Sequence, residues 1–273
     1  MPRKRTLSVD INLAEDQVPS AAKNRILKGP YRWFFNRRKN QKSWKEASVP
    51  QKIRYLAVRG LWLILGAHIV FVLSTALILF VFKTINPPAT TLMAYRKLVD
   101  HWNVRPIRYL PLQRIPRTYR SMIVRVEDGD FYQHHGILLP AIKNAWILNQ
   151  QFGSPVYGGS TITMQTARTI FLIPFKSYLR KYLEVLIALE MEAILGKNRI
   201  LELYCNYAEW GKGIFGIDTA SRYYYKTSVT AIDRDQAARL ITLLSSPIKY
   251  NPDTIYKNGI LRSRYEYLTR IGQ

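Results

Sequence analysis

Residues 61–82 read LWLILGAHIVFVLSTALILFVF and contain no Lys, Arg, Asp or Glu. A helix that crosses the hydrocarbon core of a bilayer needs about 20 predominantly apolar residues, and this stretch has that length. It is too long, lies too far from Met1, and lacks the small-residue cleavage site that is typical of a signal peptide. The stretch therefore predicts one transmembrane helix, which we place at residues 61–83.

The charged residues on the two sides of this helix differ strongly in number. Residues 23–59 contain twelve Lys or Arg and a single Glu, whereas residues 84–95 contain no charged residue. Because Lys and Arg concentrate on the cytoplasmic side of a membrane, we expect residues 1–60 to form a basic cytoplasmic tail. The rest of the chain then lies outside the cytoplasm. This is a single-pass topology in the plasma (inner) membrane, with the large domain periplasmic or extracytoplasmic.

The whole chain has 273 residues and a formal net charge of +23, so polyanions attract it. The positive excess is concentrated beside the span, which favours contact with anionic lipid headgroups over nucleic acid. We therefore expect no nucleic-acid partner. Cys205 is the one cysteine, which excludes an intrachain disulfide and a multi-cysteine zinc site.

Helical periodicity dominates the chain beyond the span, and strand patterns are scarce. The periodic stretches are 120–127, 139–151, 161–172, 177–195, 197–209, 214–225 and 233–245. We expect a mainly α protein with a connector at residues 84–115, containing short helical pieces, and one domain at residues 116–273.

The first candidate site is EDGDFYQHHG at residues 127–136, which follows an apolar helix. The dipole at a helix C-terminus disfavours negative charge, so the Glu127 carboxylate should hold its proton more tightly than usual. Such a group suits a general base that works near neutrality. An exposed acidic loop end is the alternative interpretation.

The next two candidate sites are predicted to hold an anion. YGGSTITMQTAR at residues 157–168 has the pattern of a helix N-terminus with free amides, with ordinary capping as the alternative. Four cations then follow within a short stretch, and together they suit a phosphate or pyrophosphate. They are Arg168, Lys176, Arg180 and Lys181. Because Arg180 and Glu184 are four residues apart in a helix, a structural ion pair is the alternative there.

A fourth stretch, residues 197–206 followed by glycines at 213 and 216, is interpreted as structure rather than chemistry. Its apolar residues are expected in the core, Asn206 is expected to cap a helix end, and the glycines are expected to turn the chain.

In this order, the motifs resemble those of the peptidoglycan glycosyltransferase (transglycosylase) family, from about residue 100 to near the C-terminus. The five are E-D-x-x-F-x-x-H-x-G at 127–136, G-x-S-T-I-T-x-Q at 158–165, R-K-x-x-E at 180–184, I-L-E-x-Y-x-N at 200–206, and a glycine-centred motif at 213–223. The chain ends soon after them, so it resembles the monofunctional members.

The resemblance implies a lysozyme-like fold and polymerisation of lipid II into glycan strands with inversion. The 4-hydroxyl of an acceptor lipid II attacks the growing strand, which is linked to undecaprenyl pyrophosphate. It implies two catalytic residues, Glu127 as the general base and Glu184 in support of the donor. The implied substrate-binding residues are Asp128, Ser160, Thr161, Gln165, Arg168, Lys176, Arg180 and Lys181. The implied structural motif residues are Phe131, His134, Gly136 and Asn206.

Three positions depart from the family pattern: Met164, Thr169 and the 245–247 segment Ser-Ser-Pro. Met164 and Thr169 are the one support for an alternative function, a catalytically degenerate cell-wall assembly or glycan-binding factor. A lysozyme-like muralytic hydrolase is a further alternative, but pyrophosphate already leaves well and needs cations rather than a protonated acid.

The resemblance also implies partners and cofactors. Expected partners are lipid II, the nascent glycan strand, the membrane, and other cell-wall synthesis or division proteins. No organic cofactor is expected. A divalent cation, Mg²⁺ or Mn²⁺, is chemically compatible with a pyrophosphate, although no metal ligand set is legible. The apolar residues 170–175 either dip into the bilayer or belong to the core.

Overall fold

The computed structural model describes residues 48–153 and 158–270. Residues 1–47 of the basic tail and Tyr157 lie outside the described residues, and the cytoplasmic position of the tail stays a prediction. The chain divides into two compact units, residues 1–67 and residues 68–273. The described part of the first unit is almost entirely helical and largely exposed.

The second unit is mainly helical, as the sequence predicts. The helices are α1 (Val49–Phe82), α2 (Thr91–Leu98), α3 (Arg117–Glu127), α4 (Leu139–Gln151), α5 (Ile162–Phe171), α6 (Tyr178–Ile194), α7 (Lys197–Tyr207), α8 (Ile217–Tyr225), α9 (Arg234–Thr242) and α10 (Gly259–Arg270). Short 3₁₀ helices occur at Leu112–Arg114, Leu243–Ser245 and Ile255–Lys257. Strands β1 (Glu209–Gly211) and β2 (Ile214–Phe215) form an antiparallel hairpin.

Helix α1 contains the predicted span but begins at Val49, twelve residues earlier than position 61. Its 34 residues make it about 50 Å long at the usual rise per residue. Among the described residues it is the one helix long and apolar enough, by length and composition, to cross a membrane.

Residues 68–82 of α1 belong to the second unit and pack against it. Leu79 is fully buried. The Thr75 hydroxyl donates to Glu190 Oε2 of α6 at 2.7 Å, and the His68 ring stacks on Tyr182 with centroids 5.9 Å apart. This end of the apolar helix is therefore part of the domain's own packing, and His68 has a structural contact.

The core of the second unit is built on α5, which packs against α6 and α7. Thr161 caps α5 by accepting from Met164 N at 3.1 Å, and Ser177 caps α6 by accepting from Arg180 N at 3.1 Å. These caps start both helices at fixed residues. As a result, the second and third sequence motifs lie on neighbouring helices.

The expectation of helices over 197–209 and 214–225 is wrong at residues 209–216, where the hairpin interrupts them. Gly213 and Gly216 have φ angles of 71° and 84°, which glycine adopts without steric cost. A Cβ on Gly213 would lie 2.5 Å from Asn103 O, and one on Gly216 2.6 Å from Asn206 O. The predicted turns at these glycines are confirmed, but they form a strand pair.

The segment expected to be a connector contains the short helical pieces predicted for it, and it packs closely on the domain. Leu110 N donates to Asn206 Oδ1 at 2.8 Å, and Leu112 N donates to Glu202 Oε2 at 2.7 Å. The domain boundary at residue 116 stays a prediction.

Candidate active site

Glu127 is the last residue of α3, and its side chain is 8% exposed. Gln165 Nε2 donates to its Oε2 at 3.0 Å. Arg264 of α10 forms an ion pair with its Oε1 and also donates to Val126 O at 3.2 Å. Arg264 therefore adds a positive charge at this carboxylate, which the helix dipole alone did not lead us to expect.

The rest of the first motif forms a buried network that fixes this helix end. The Asp128 carboxylate accepts from His134 Nε2 at 2.9 Å and from Ile162 N at 2.9 Å. Gly136 N donates to His134 Nδ1 at 3.1 Å, so Nδ1 is an acceptor. Nε2 therefore carries the hydrogen that is donated to Asp128. Asp128 therefore ties the end of α3 to the start of α5.

Asp128 and Thr161 are predicted to bind substrate, but their polar groups are used in this buried network. Asp128 is 7% exposed and Thr161 is 3% exposed. Neither residue lines the cavity described below. The Thr161 hydroxyl donates to Gly136 O at 2.6 Å. Phe131 is fully buried, and Gly136 has a φ of 88°, where a Cβ would lie 3.0 Å from Ala188 O. The structural roles expected of Phe131, His134 and Gly136 agree with these positions.

Glu184 has no exposed surface and lies between two cations of its own helix. Arg180 donates to its Oε2 at 2.6 Å, and Lys181 donates to its Oε1 at 2.9 Å. Both ion pairs follow from the i,i+3 and i,i+4 spacing. Charge-assisted bonds at both oxygens satisfy a carboxylate that would otherwise be costly to bury.

A chain of hydrogen bonds links the two carboxylates. Gln165 bonds to Glu127 and lies 3.5 Å from Ser160 O, and Ser160 Oγ accepts from Lys181 Nζ at 2.7 Å. Lys181 in turn bonds to Glu184. Both glutamates therefore belong to one site, built from α3, α5, α6 and the glycine-containing segment before α5.

Beside this chain is a cavity of about 310 Å³, which we call the cationic cavity. Several predicted substrate-binding residues line it: Gln165, Arg168, Lys176 and Arg180. Such a concentration of positive charge around a concave surface favours a polyanionic ligand. Of the family departures, Thr169 and Ser245 line the cavity, whereas Met164 is fully buried in the core.

The cationic cavity is also lined by two residues that the sequence did not indicate, Arg96 and Glu209. Arg96 of α2 donates to Glu209 Oε1 at 3.1 Å and Oε2 at 3.0 Å, and to Asp100 Oδ2 at 2.8 Å. Burial raises the pKa of Glu209, while the bonds from Arg96 oppose that shift. Arg96 thus neutralises an acid that faces an otherwise cationic cavity.

Tyr204 also lines the cationic cavity and donates to Gln165 Oε1 at 3.3 Å. Complete burial raises the pKa of its phenol well above the usual value, so the hydroxyl remains a donor. Tyr204 belongs to the I-L-E-x-Y-x-N motif, and it also packs in the core. Its bond orients the Gln165 amide so that the NH₂ group faces Glu127.

Asn206, expected to cap a helix, instead joins α7 to the connector. Its Nδ2 donates to Leu110 O at 2.9 Å and to Glu202 O at 2.8 Å, and it is fully buried. Beside it, burial alone would raise the pKa of Glu202, but bonds from Tyr109, Leu112 N and Arg199 outweigh that effect and lower it.

Arg264 and Arg96 are the two functional candidates with no local sequence signal. Arg264 is 137 positions from the glutamate it contacts, and Arg96 is 113 positions from Glu209. An alignment of homologues showing that the paired positions vary together is the signal that could have found them.

In residues 48–153 and 158–270 there is no group of three or more His, Cys, Asp or Glu side chains that could hold a metal ion. The acids of the site are instead paired with arginine and lysine. The side chains present therefore do not fit a metal ion held by the protein alone.

Comparison with known proteins identifies this arrangement. Residues 96–270 match the transglycosylase family. A biosynthetic peptidoglycan transglycosylase of Bordetella pertussis is 42% identical over 167 residues, which are 60% of this chain and 68% of that protein. A protein of the same name from Pseudomonas putida is 37% identical over 207 residues, which are 74% of this chain and 84% of that protein.

The match covers well over half of the chain, and the chain belongs to the transglycosylase family. It is therefore an enzyme that transfers glycosyl groups, and its mainly α domain is lysozyme-like. The resemblance drawn from the five motifs is confirmed.

Proposed function

We propose that this protein is a peptidoglycan polymerase that joins lipid II units into glycan strands. The observation that carries the proposal is the hydrogen-bonded chain from Glu127 to Glu184 beside the cationic cavity. It offers a base, Glu127, next to a cavity whose cations suit a pyrophosphate. The names of the relatives, biosynthetic peptidoglycan transglycosylases, support the same substrate class.

At the acceptor, Glu127 is the general base. The 4-hydroxyl of the incoming lipid II gives its proton to this carboxylate as its oxygen attacks C1 of the donor sugar. Gln165 and Arg264 hold the carboxylate in one orientation. A base that is already positioned needs less rearrangement in the transition state.

At the donor, the bond from C1 to the undecaprenyl pyrophosphate breaks as the new C1–O4 bond forms, with inversion at C1. The leaving pyrophosphate keeps the bonding electron pair, and the cations that line the cavity stabilise its charge. Those cations are Arg168, Lys176 and Arg180. Glu184 contributes by holding Arg180 and Lys181 in place.

A divalent cation stays an expectation, since no protein ligand set is present in the described residues. We therefore assign no step to a metal ion. Polymerisation measured with added Mg²⁺ or Mn²⁺, and with a chelator, decides whether the pyrophosphate needs one.

The apolar helix gives this function a location. Helix α1 would hold the enzyme in the inner membrane with the tail in the cytoplasm, where the site can meet a substrate with a polyprenyl tail. In the run at residues 170–175, Ile170 is buried, while Ile173 and Phe175 are 50% and 69% exposed. Contact of these two exposed side chains with the bilayer stays a prediction. A topology reporter at position 127 should report the extracytoplasmic side, and a cytoplasmic result would contradict the proposal.

The decisive assay incubates the full-length protein in detergent with lipid II and separates the products by length. Wild type should form glycan polymers and release no fragments from finished sacculi. Fragment release without polymerisation would instead favour a muralytic hydrolase. A protein that shows neither activity would favour an assembly or glycan-binding factor. Met164, one of the departures that supported this alternative, is buried in the core and no longer supports it.

A further inference from the structure

A second cavity of about 460 Å³ adjoins the cationic cavity, and Pro247 lines both. We call it the lysine–tyrosine cavity, after Lys212, Tyr224, Lys249 and Tyr250, which line it. Neither Glu127 nor its partners are among its lining residues. The second cavity therefore continues from the proposed pyrophosphate site without containing the proposed base.

The charge around the lysine–tyrosine cavity is predominantly positive. Among its described lining residues Asp253 is the one acid, against two exposed lysines. Two further cations lie at its Tyr223 wall, with the Arg105 guanidinium 4.6 Å and the Lys226 ammonium 5.6 Å from the ring centroid. This excess selects an anionic ligand over a neutral one.

The walls of this cavity are held in place by hydrogen bonds. Tyr224 donates to Trp210 O at 3.2 Å, and Asn258 Nδ2 donates to the Tyr250 hydroxyl at 3.3 Å. The loop at residues 251–254 is fixed by Asn251, whose Oδ1 accepts from Asp253 N and Thr254 N at 3.0 Å each. A cavity with fixed walls binds a ligand at a smaller entropic cost.

We infer that the lysine–tyrosine cavity binds a carboxylate-bearing sugar–peptide segment of the growing glycan strand. This inference rests on the proposed function. If the growing strand is the donor, its pyrophosphate lies in the cationic cavity and its next sugars extend from there into the lysine–tyrosine cavity. Lysine ammonium groups pair with carboxylates, and the tyrosines offer ring carbons to sugar faces and hydroxyls to sugar oxygens. The cavity volume is in the range of ligand sites.

The test uses a soluble disaccharide–pentapeptide fragment of peptidoglycan that lacks lipid and pyrophosphate. Its binding to the full-length protein in detergent is measured by calorimetry. The Lys212→Ala/Lys249→Ala variant should bind about tenfold more weakly, since both charge-assisted contacts are lost. The matched control is Lys97→Ala/Lys143→Ala, which removes two exposed lysines that line neither cavity and should bind as wild type.

A neutral tetramer of β-1,4-linked N-acetylglucosamine is the second probe, and it should bind at least about tenfold more weakly than the acidic fragment. The inference is overturned if the fragment does not bind wild type, if the two double variants bind it equally, or if the tetramer binds as tightly. Binding is also measured with Glu127→Gln, which cannot act as a base. Lysine-dependent binding together with absent lipid II polymerisation would reject the proposed function and keep this glycan site.

Discussion

Glu127 and Glu184 are both largely buried and both paired with cations, but their partners come from different distances along the chain. Those of Glu184 are one helical turn away, at positions 180 and 181. Those of Glu127 are Gln165 and Arg264, 38 and 137 positions away. One carboxylate is therefore held by its own helix and the other by the tertiary fold.

The difference teaches how this site divides its tasks. The cluster at Glu184 lies within α6 and presents one cation of fixed geometry, Arg180, to the cationic cavity. Glu127 has 8% of its side chain exposed, whereas Glu184 has none. The residue that we propose meets a substrate hydroxyl is the one that retains access, and the fully enclosed residue is the one that we propose positions others.

The largest expected effect is on catalysis by Glu127. Glu127→Gln keeps the size of the side chain and its contact with Gln165 but cannot accept a proton. Polymerisation of lipid II should fall by about 10³-fold, within the usual range for general base catalysis. Glu266→Gln, at a 40% exposed carboxylate on α10, is the control and should polymerise as wild type. Activity of Glu127→Gln close to that of the control would contradict the proposed distinction between Glu127 as the base and Glu184 as the positioning residue.

The next effect is on stability at Glu184. Glu184→Gln leaves Arg180 and Lys181 without their anion, and breaking a buried pair costs about 3 kcal/mol. Thermal unfolding of the full-length protein in detergent should shift down by about 10 °C. Arg180→Gln/Glu184→Gln should recover part of the loss, because it removes an unpaired charge. A shift no larger than that of Glu127→Gln would show that the two carboxylates are held equally.

A smaller effect is expected at Arg264, the distant partner of Glu127. Arg264→Met should lower kcat by about tenfold, in line with the loss of a positioning contact, and leave KM largely unchanged. Arg264→Lys keeps a positive charge beside the carboxylate and should restore kcat in part. An unchanged kcat in Arg264→Met would limit this residue to a structural role.

Glu202 is an intermediate case, with partners both on its own helix and in the connector, and gives the smallest effect. Its pKa is lowered from 4.5, so its stabilising contribution is present above that value and is lost as the pH falls through the lowered pKa. Glu202→Gln should be less stable than wild type at pH 7, and the difference should shrink on acidification. Chemical unfolding at several pH values measures it, and a constant difference would contradict the assignment.

Local patterns in the sequence were sufficient for most helices of the second unit and for one of the two interpretations of the cluster at Glu184. Periodicity predicted helical stretches that overlap α3 to α9 but not α10, and spacing made an ion pair between Arg180 and Glu184 one of the alternatives. Motif order identified the family, and with it the candidate carboxylates. These features depend on residues within a few turns of one another.

Contacts between distant residues were outside the reach of such patterns. Nothing near Arg264 in sequence indicates that it meets Glu127, and the connector gave no sign that Arg96 forms a wall of the cationic cavity. The hairpin at 209–215 was missed because the glycine turns beside it were interpreted as breaks between helices. Asp128 and Thr161 were recognised as motif residues, but their place in a buried network depends on the end of α3 meeting the start of α5 in the folded chain.

The most direct test of the account measures both products of each transfer by wild type and by Glu127→Gln. The proposal predicts that wild type releases one undecaprenyl pyrophosphate for every new sugar–sugar bond, with no sugar transferred to water, and that Glu127→Gln forms neither product at a comparable rate. Pyrophosphate release with free reducing sugar and no polymer would contradict the proposed transferase. Equal polymer from both proteins would contradict the role of Glu127.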